Sequence, residues 1–240
     1  MLCIFPFEPD LLAEQGVAGS YVGHPLAQVI PMEPDRAAAR AALGLALDAP
    51  VVALLPGSRR SELRYIAPRF LQAAALMRRE NPAIQFVLPT LPGLRAEAQQ
   101  MLQASGLGDH VKILNGQSHA VLAACDATLI ASGTATLEAA LFKRPMVIAY
   151  NMNSLTWRLM IRRQVQPWGG LPNILCREFV VPELIQHEAT PEALAQATLA
   201  WLRSPDKVQA LQQRFTALHA QLLRDTPTLC ADAIQQVLEG

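Results

Sequence analysis

Ala127–Glu138 reads ATLIASGTATLE: five small or apolar residues, a Ser-Gly-Thr corner, then the start of a helical pattern. A run that short and that continuously apolar predicts a strand buried on both faces of a parallel sheet. The corner residues Ser132, Gly133, Thr134, Ala135 and Thr136 are small enough to admit an anion. They stand at the N-terminus of the next helix, where the macrodipole and unpaired amides favour negative charge. Glu138 lies about one turn in, where a carboxylate can accept hydrogen bonds from both hydroxyls of a ribose. The same residues also fit a simple N-cap by Ser132 or Thr134, with an acidic residue in the first turn.

Working outward, the strand–loop–helix pattern recurs. Val51–Leu55, Ile84–Leu88, Val111–Leu114 and Met146–Tyr150 are further short apolar runs bounded by Pro, Gly or Asn. Between them lie helical patterns at Glu62–Arg79, Leu94–Ser105, Ser118–Ala124 and Thr136–Phe142. Such alternation predicts an α/β fold: right-handed βαβ units forming a doubly wound, Rossmann-like parallel sheet.

The first of these strands runs into Pro56-Gly57-Ser58-Arg59. Ligands of open α/β sheets bind beyond the carboxyl ends of the strands. Gly57 lets backbone approach a ligand, Ser58 and the following amides can donate to phosphate, and Arg59 offers a permanent, bidentate charge. Pro-Gly-Ser is also an ordinary turn; the case for a phosphate site rests on two such loops ending neighbouring strands. A third candidate is Gly169-Gly170-Leu171-Pro172-Asn173, where Asn173 supplies a donor and an acceptor, or where the chain simply turns at the surface. His24, in Gly-His-Pro, reads either as a structural histidine or as a substrate contact.

The flanks differ from this pattern. Met1–Phe7 (MLCIFPF) predicts a buried strand ended by Glu8-Pro9-Asp10, and Asp35–Leu43 a helix. Residues 1–30 read as the last piece of a preceding domain, 31–204 as the sheet domain and 205–240 as C-terminal helices. Ser154–Arg163 predicts a basic amphipathic helix. Its Trp157 and Met160 among arginines suit either contact with anionic lipid or a helix covering the domain. Helices are further predicted at Val181–His187, at Pro191–Arg203 and from Pro205 onward, the last divided by Pro227. Val208, Leu211, Phe215, Leu218 and Leu222 form one apolar stripe, which calls for a partner surface on another domain or subunit.

Composition sets bounds on function. Lys and Arg number 20, as do Asp and Glu, so there is no basic surplus for nucleic acid. Apolar residues make up 51% and charged residues 17%, as expected of a globular chain. Mean hydropathy is +0.20, yet no apolar run approaches a membrane span, so any membrane contact is expected to be peripheral. The four cysteines lack a CxxC pair, and the five histidines show no HxxxH or HExxH. The expectation is free thiols and no metal site.

Taken together, FPFE (Phe5–Glu8), GHP (Gly23–Pro25), LLPGSR (Leu54–Arg59), ASGTATLE (Ala131–Glu138), PMVIAY (Pro145–Tyr150) and LPNIL (Leu171–Leu175) resemble the lipid-A-disaccharide synthases in order and spacing along the chain. The resemblance implies the GT-B fold and an inverting hexosyl transfer without metal or cofactor. The donor would be UDP-2,3-diacylglucosamine and the acceptor 2,3-diacylglucosamine 1-phosphate (lipid X); the products would be the lipid A disaccharide 1-phosphate and UDP. By the same resemblance, Gly57, Ser58, Arg59, Ser132–Thr136 and Glu138 would hold UDP, with Arg59 and Asn173 at the reacting centre and His24 near the sugar. It further implies an enzyme at the cytoplasmic face of the inner membrane, with C-terminal helices that can exchange between two subunits. The acceptor site and general base would lie in an N-terminal domain of which residues 1–30 are the remnant.

Overall fold

The computed structural model describes residues 1–151 and 167–239. The helix predicted at Ser154–Arg163 therefore lies outside the described residues. In chain order the elements begin with β1 (Leu2–Cys3), α1 (Glu8–Ala13), β2 (Ser20–Tyr21), α2 (Pro25–Val29) and α3 (Arg36–Leu43). The sheet region follows: β3 (Val51–Leu55), α4 (Arg60–Glu80), β4 (Gln85–Thr90), α5 (Arg95–Ala104), β5 (Val111–Asn115), α6 (Ser118–Ala124), β6 (Ala127–Ala131), α7 (Ala135–Leu141) and β7 (Met146–Tyr150). Last come α8 (Leu171–Cys176), β8 (Glu183–Ile185), α9 (Pro191–Leu202), α10 (Pro205–Leu222) and α11 (Thr226–Glu239).

Six strands form one parallel sheet in the order β5-β4-β3-β6-β7-β8. Alternation along β3 explains why its sequence is apolar throughout. Val51, Ala53 and Leu55 face a layer that includes Leu43 of α3, Val121 of α6, Leu137 of α7 and Phe215 of α10. Val52 and Leu54 face the other layer, with Phe70 and Met77 of α4, Leu102 of α5 and Leu199 of α9. The expected α/β doubly wound fold is thus observed, as a sheet with helices on both faces.

Arg40 ties α3 to the amino end of this sheet. Its buried guanidinium pairs with Asp126 at 2.6 Å and donates to the carbonyls of Ala46, Ala49 and Ala124. Asp126 also accepts from the Val51 amide at 2.8 Å. The charge is buried but every partner is present, which is the condition for tolerating it.

Two expectations are corrected, and one left open between two alternatives is narrowed. The strand at Met1–Phe7 shrinks to Leu2–Cys3, where only Cys3 is buried; Met1, Leu2 and Ile4 are exposed. The cause is Glu8, whose Oε2 takes the amides of Ile4 and Phe5 at 2.8 and 2.9 Å and turns the chain into α1. Val181–His187 is not a helix: Glu183–Ile185 pairs in parallel with Ile148–Tyr150 as the edge strand β8. The apolar stripe of the tail is covered within the chain, since Leu211, Phe215, Leu218 and Leu222 of α10 are buried in the same core cluster as Leu137 and Ala27. No other subunit is needed to explain it. The expected division of the tail is present: α10 ends at Leu222 and α11 begins at Thr226, with Pro227 in its first turn.

Candidate functional site

The sheet order places the two loops side by side. The chain winds outward from β3 through β4 to β5, then returns to lay β6 against the other edge of β3, with Leu55 opposite Ile130. This reversal is the topological switch point, where adjacent loops part and leave a crevice. A cavity of about 410 Å³ opens there, lined by residues of the Gly57–Arg59 and Ser132–Ala135 loops together with Glu62 and Glu138.

The second loop presents backbone donors. Among the described residues, the amides of Gly133, Thr134 and Ala135 have no acceptor within the protein, whereas those of Thr136 and Leu137 turn back to the Gly133 and Thr134 carbonyls at 3.1 and 3.0 Å. Ser132 is fixed at both ends: its amide donates to Ala149 and its hydroxyl to the Gly169 carbonyl, each at 3.0 Å. Thr136 is fully buried and its hydroxyl donates to the Gly133 carbonyl at 2.7 Å. Its expected place among the ligand contacts is corrected accordingly: it shapes the corner that exposes the three amides.

Glu138 keeps a fifth of its side chain exposed at the cavity wall, with His119 Nε2 at 3.2 Å from Oε2. His119 also stands edge-on to Phe142, ring centroids 5.3 Å apart. Nothing in the sequence pattern points to His119; α6 carries it there from the previous βα unit.

In the first loop the amides are already engaged. Glu62 Oε2 accepts from the Ser58 and Arg59 amides at 3.0 and 3.1 Å, and Oε1 accepts from Arg59 Nη1 at 3.1 Å. This carboxylate caps α4 and explains Gly57. With φ at +109°, a Cβ there would stand 2.3 Å from Glu62 Oε2. The Arg59 side chain is 80% exposed beside the cavity. The signal for Glu62 was present in the sequence, an acidic residue three positions after the helix boundary.

Asn173 occupies a different place from the one expected. It is fully buried in α8, and its Oδ1 accepts from the Val180 and Val181 amides at 2.9 and 3.0 Å. Its Nδ2 donates to the Val181 carbonyl and to Glu183 Oε1 at 2.9 and 2.7 Å. Glu183 in turn accepts from the Gly169 and Gly170 amides at 2.8 and 2.9 Å. With no exposed surface and four bonds inside the protein, Asn173 does not touch a ligand here. It holds the loop whose Gly169 carbonyl anchors Ser132.

His24 is not among the residues lining the cavity. It caps α2, with Nδ1 accepting from the Leu26 amide at 3.2 Å, and its ring lies 5.3 Å from that of Phe5. Partial burial lowers its pKa, with Glu8 opposing the shift. Cys3, Cys125, Cys176 and Cys230 are all free, and burial pushes the Cys125 thiol up to about 12, far from a reactive thiolate.

A family model described as lipid-A-disaccharide synthetase matches residues 1–236. The chain belongs to this family. A lipid-A-disaccharide synthase of Albidiferax ferrireducens is 65% identical over 244 residues, covering 100% of this chain and 63% of that protein. The chain thus spans about three fifths of the length of the curated family members it matches. Among solved structures, WaaG, a glycosyltransferase involved in lipopolysaccharide biosynthesis, aligns at a TM-score of 0.63 with 13% identity, over 100% of this chain and 62% of its own. A UDP-GlcNAc 2-epimerase from Neisseria meningitidis, bound to UDP-GlcNAc, aligns at 0.64 with 9% identity, over 100% of this chain and 61% of its own. At such identities the likeness is one of fold, and the fold is GT-B.

Proposed function

We propose that this chain is the donor-binding part of a lipid-A-disaccharide synthase. The reading is supported by family membership and carried by one observation: unpaired amides of Gly133–Ala135, the Arg59 guanidinium and the Glu138 carboxylate meet in a single cavity at the switch point. A nucleoside diphosphate offers matching chemistry. Its phosphate oxygens accept from the amides and Arg59, and its ribose hydroxyls donate to Glu138.

In the proposed reaction the 6-hydroxyl of lipid X attacks the anomeric carbon of UDP-2,3-diacylglucosamine from the face opposite the diphosphate. The bond from that carbon to the diphosphate oxygen breaks as the new glycosidic bond forms, and the hydroxyl proton passes to a base. Charge gathers on the departing diphosphate, so amide dipoles and Arg59 contribute more in the transition state than in the bound donor. The base is assigned to the part of the relatives that this chain does not span. Contact with the cytoplasmic membrane face and pairing of subunits through the C-terminal helices belong to the same proposal. Exposed Ile234, Val237 and Leu238 on α11 favour a partner for that helix. The full cycle is tested by supplying both lipid substrates and following UDP release. Release by a relative-length protein but not by this chain supports the division of labour, and release by neither contradicts the assigned activity.

A further inference from the structure

The Gly57–Arg59 loop already holds an oxyanion of its own. Glu62 lies on two helix-start amides, and its second oxygen pairs with the guanidinium that faces the cavity. This is the donor set that a phosphate would use, and it lies in the same cavity as the unpaired amides of the Ser132 loop. A carboxylate and a phosphate cannot share those amides, because both need the same N–H groups and their negative charges repel. The side chain stays a quarter exposed and lines the cavity that a ligand would enter.

We infer that Glu62 is a specificity-determining residue, an internal carboxylate that a diphosphate must displace from the Ser58 and Arg59 amides. A ligand reaching only the Ser132 loop leaves Glu62 in place and meets one set of amides. A ligand long enough to reach both loops evicts Glu62 and gains the second set together with Arg59. Eviction costs the two amide bonds that cap α4 and the pairing with Arg59, so it is worthwhile only for a ligand carrying more than one phosphate. The device limits how strongly the site prefers a nucleoside diphosphate over a monophosphate, and it rests on the reading of this cavity as the donor site.

Calorimetric titration of the 240-residue chain with UDP and with UMP tests the inference. Glu62→Gln keeps the shape and a weaker, neutral cap. It should raise the ratio of UDP to UMP affinity by about five- to ten-fold, the difference between hydrogen bonds to a charged and to a neutral acceptor. Glu62→Ala should shift the ratio in the same direction, and a thermal melt of each variant confirms that it is folded. A ratio that is unchanged or lower in folded variants overturns the inference alone, since Glu62 would then be only a cap or an aligner of Arg59. Failure of the unaltered chain to bind UDP at all overturns the donor-site reading and the inference with it.

Discussion

Arg59 and Asn173 were grouped at the reacting centre by resemblance, and burial separates them. Arg59 is exposed beside the cavity, whereas Asn173 is sealed inside with its amide fully used. Arg59→Ala should weaken UDP binding by about 1.5–3 kcal/mol, the range for hydrogen bonds to charged groups, and leave the melting temperature nearly unchanged. Asn173→Ala should do the reverse. Leaving the Val180 and Val181 amides unpaired costs about 2–4 kcal/mol of stability in urea unfolding, with a smaller loss of UDP affinity through the loosened Gly169 loop. Equal effects of the two substitutions on binding, with Asn173→Ala fully stable, would show that Asn173 contacts ligand after all. The position of Glu138 at the cavity wall is legible in the sequence because it depends on placement in one helix. The role of Asn173 was not, because it depends on backbone and a carboxylate from β8.

At the scale of elements, strands buried on both faces were read with little error, since continuous apolar runs such as VVALL and ATLIA carry their burial in their composition. The edge strand β8 departs from the helix expected at Val181–His187. Glu-Leu-Ile-Gln has helical character, and pairing with β7 together with Glu183's hold on two glycine amides overrides it. The stripe of α10 was recognised, but its partner could not be known without the packing of α7 and α2. Phe215 is fully buried there, so Phe215→Ala should cost about 3–5 kcal/mol of stability. That loss should not depend on protein concentration, as it would if a second subunit covered the stripe.

The same helix carries a pH response. His219 is buried, with Nε2 at 2.8 Å from the Ala27 carbonyl and Nδ1 at 2.6 Å from Lys143 Nζ. This pattern fits a neutral ring that donates through Nε2 and accepts the ammonium at Nδ1. Burial, with Lys143 adding to it, lowers the His219 pKa below its ordinary 6.5, and burial lowers Lys143 from 10.5 to about 8. Just below pH 6.5 the unfolded chain takes up a proton that folded His219 refuses, so stability falls as pH drops there. Between about pH 8 and 10.5 folded Lys143 has lost the proton that the unfolded chain keeps, so stability rises with pH in that window. Urea unfolding across both windows checks the signs. His219→Gln should flatten the acid-side slope.

For the whole molecule, the alternation of strands and helices carried the architecture, and the order of the sheet then decided the site. Two loops 75 residues apart in register, Leu55 against Ile130, become neighbours only because β6 returns to β3. The most direct measurement is calorimetric titration of the 240-residue chain with UDP, alongside Glu138→Ala. The unaltered chain should bind one UDP, and Glu138→Ala should bind it about ten- to a hundred-fold more weakly at unchanged stability, corresponding to 1.5–3 kcal/mol for hydrogen bonds to a charged group. No binding by the unaltered chain, or equal affinity in the variant, would contradict a nucleoside diphosphate site at the switch point.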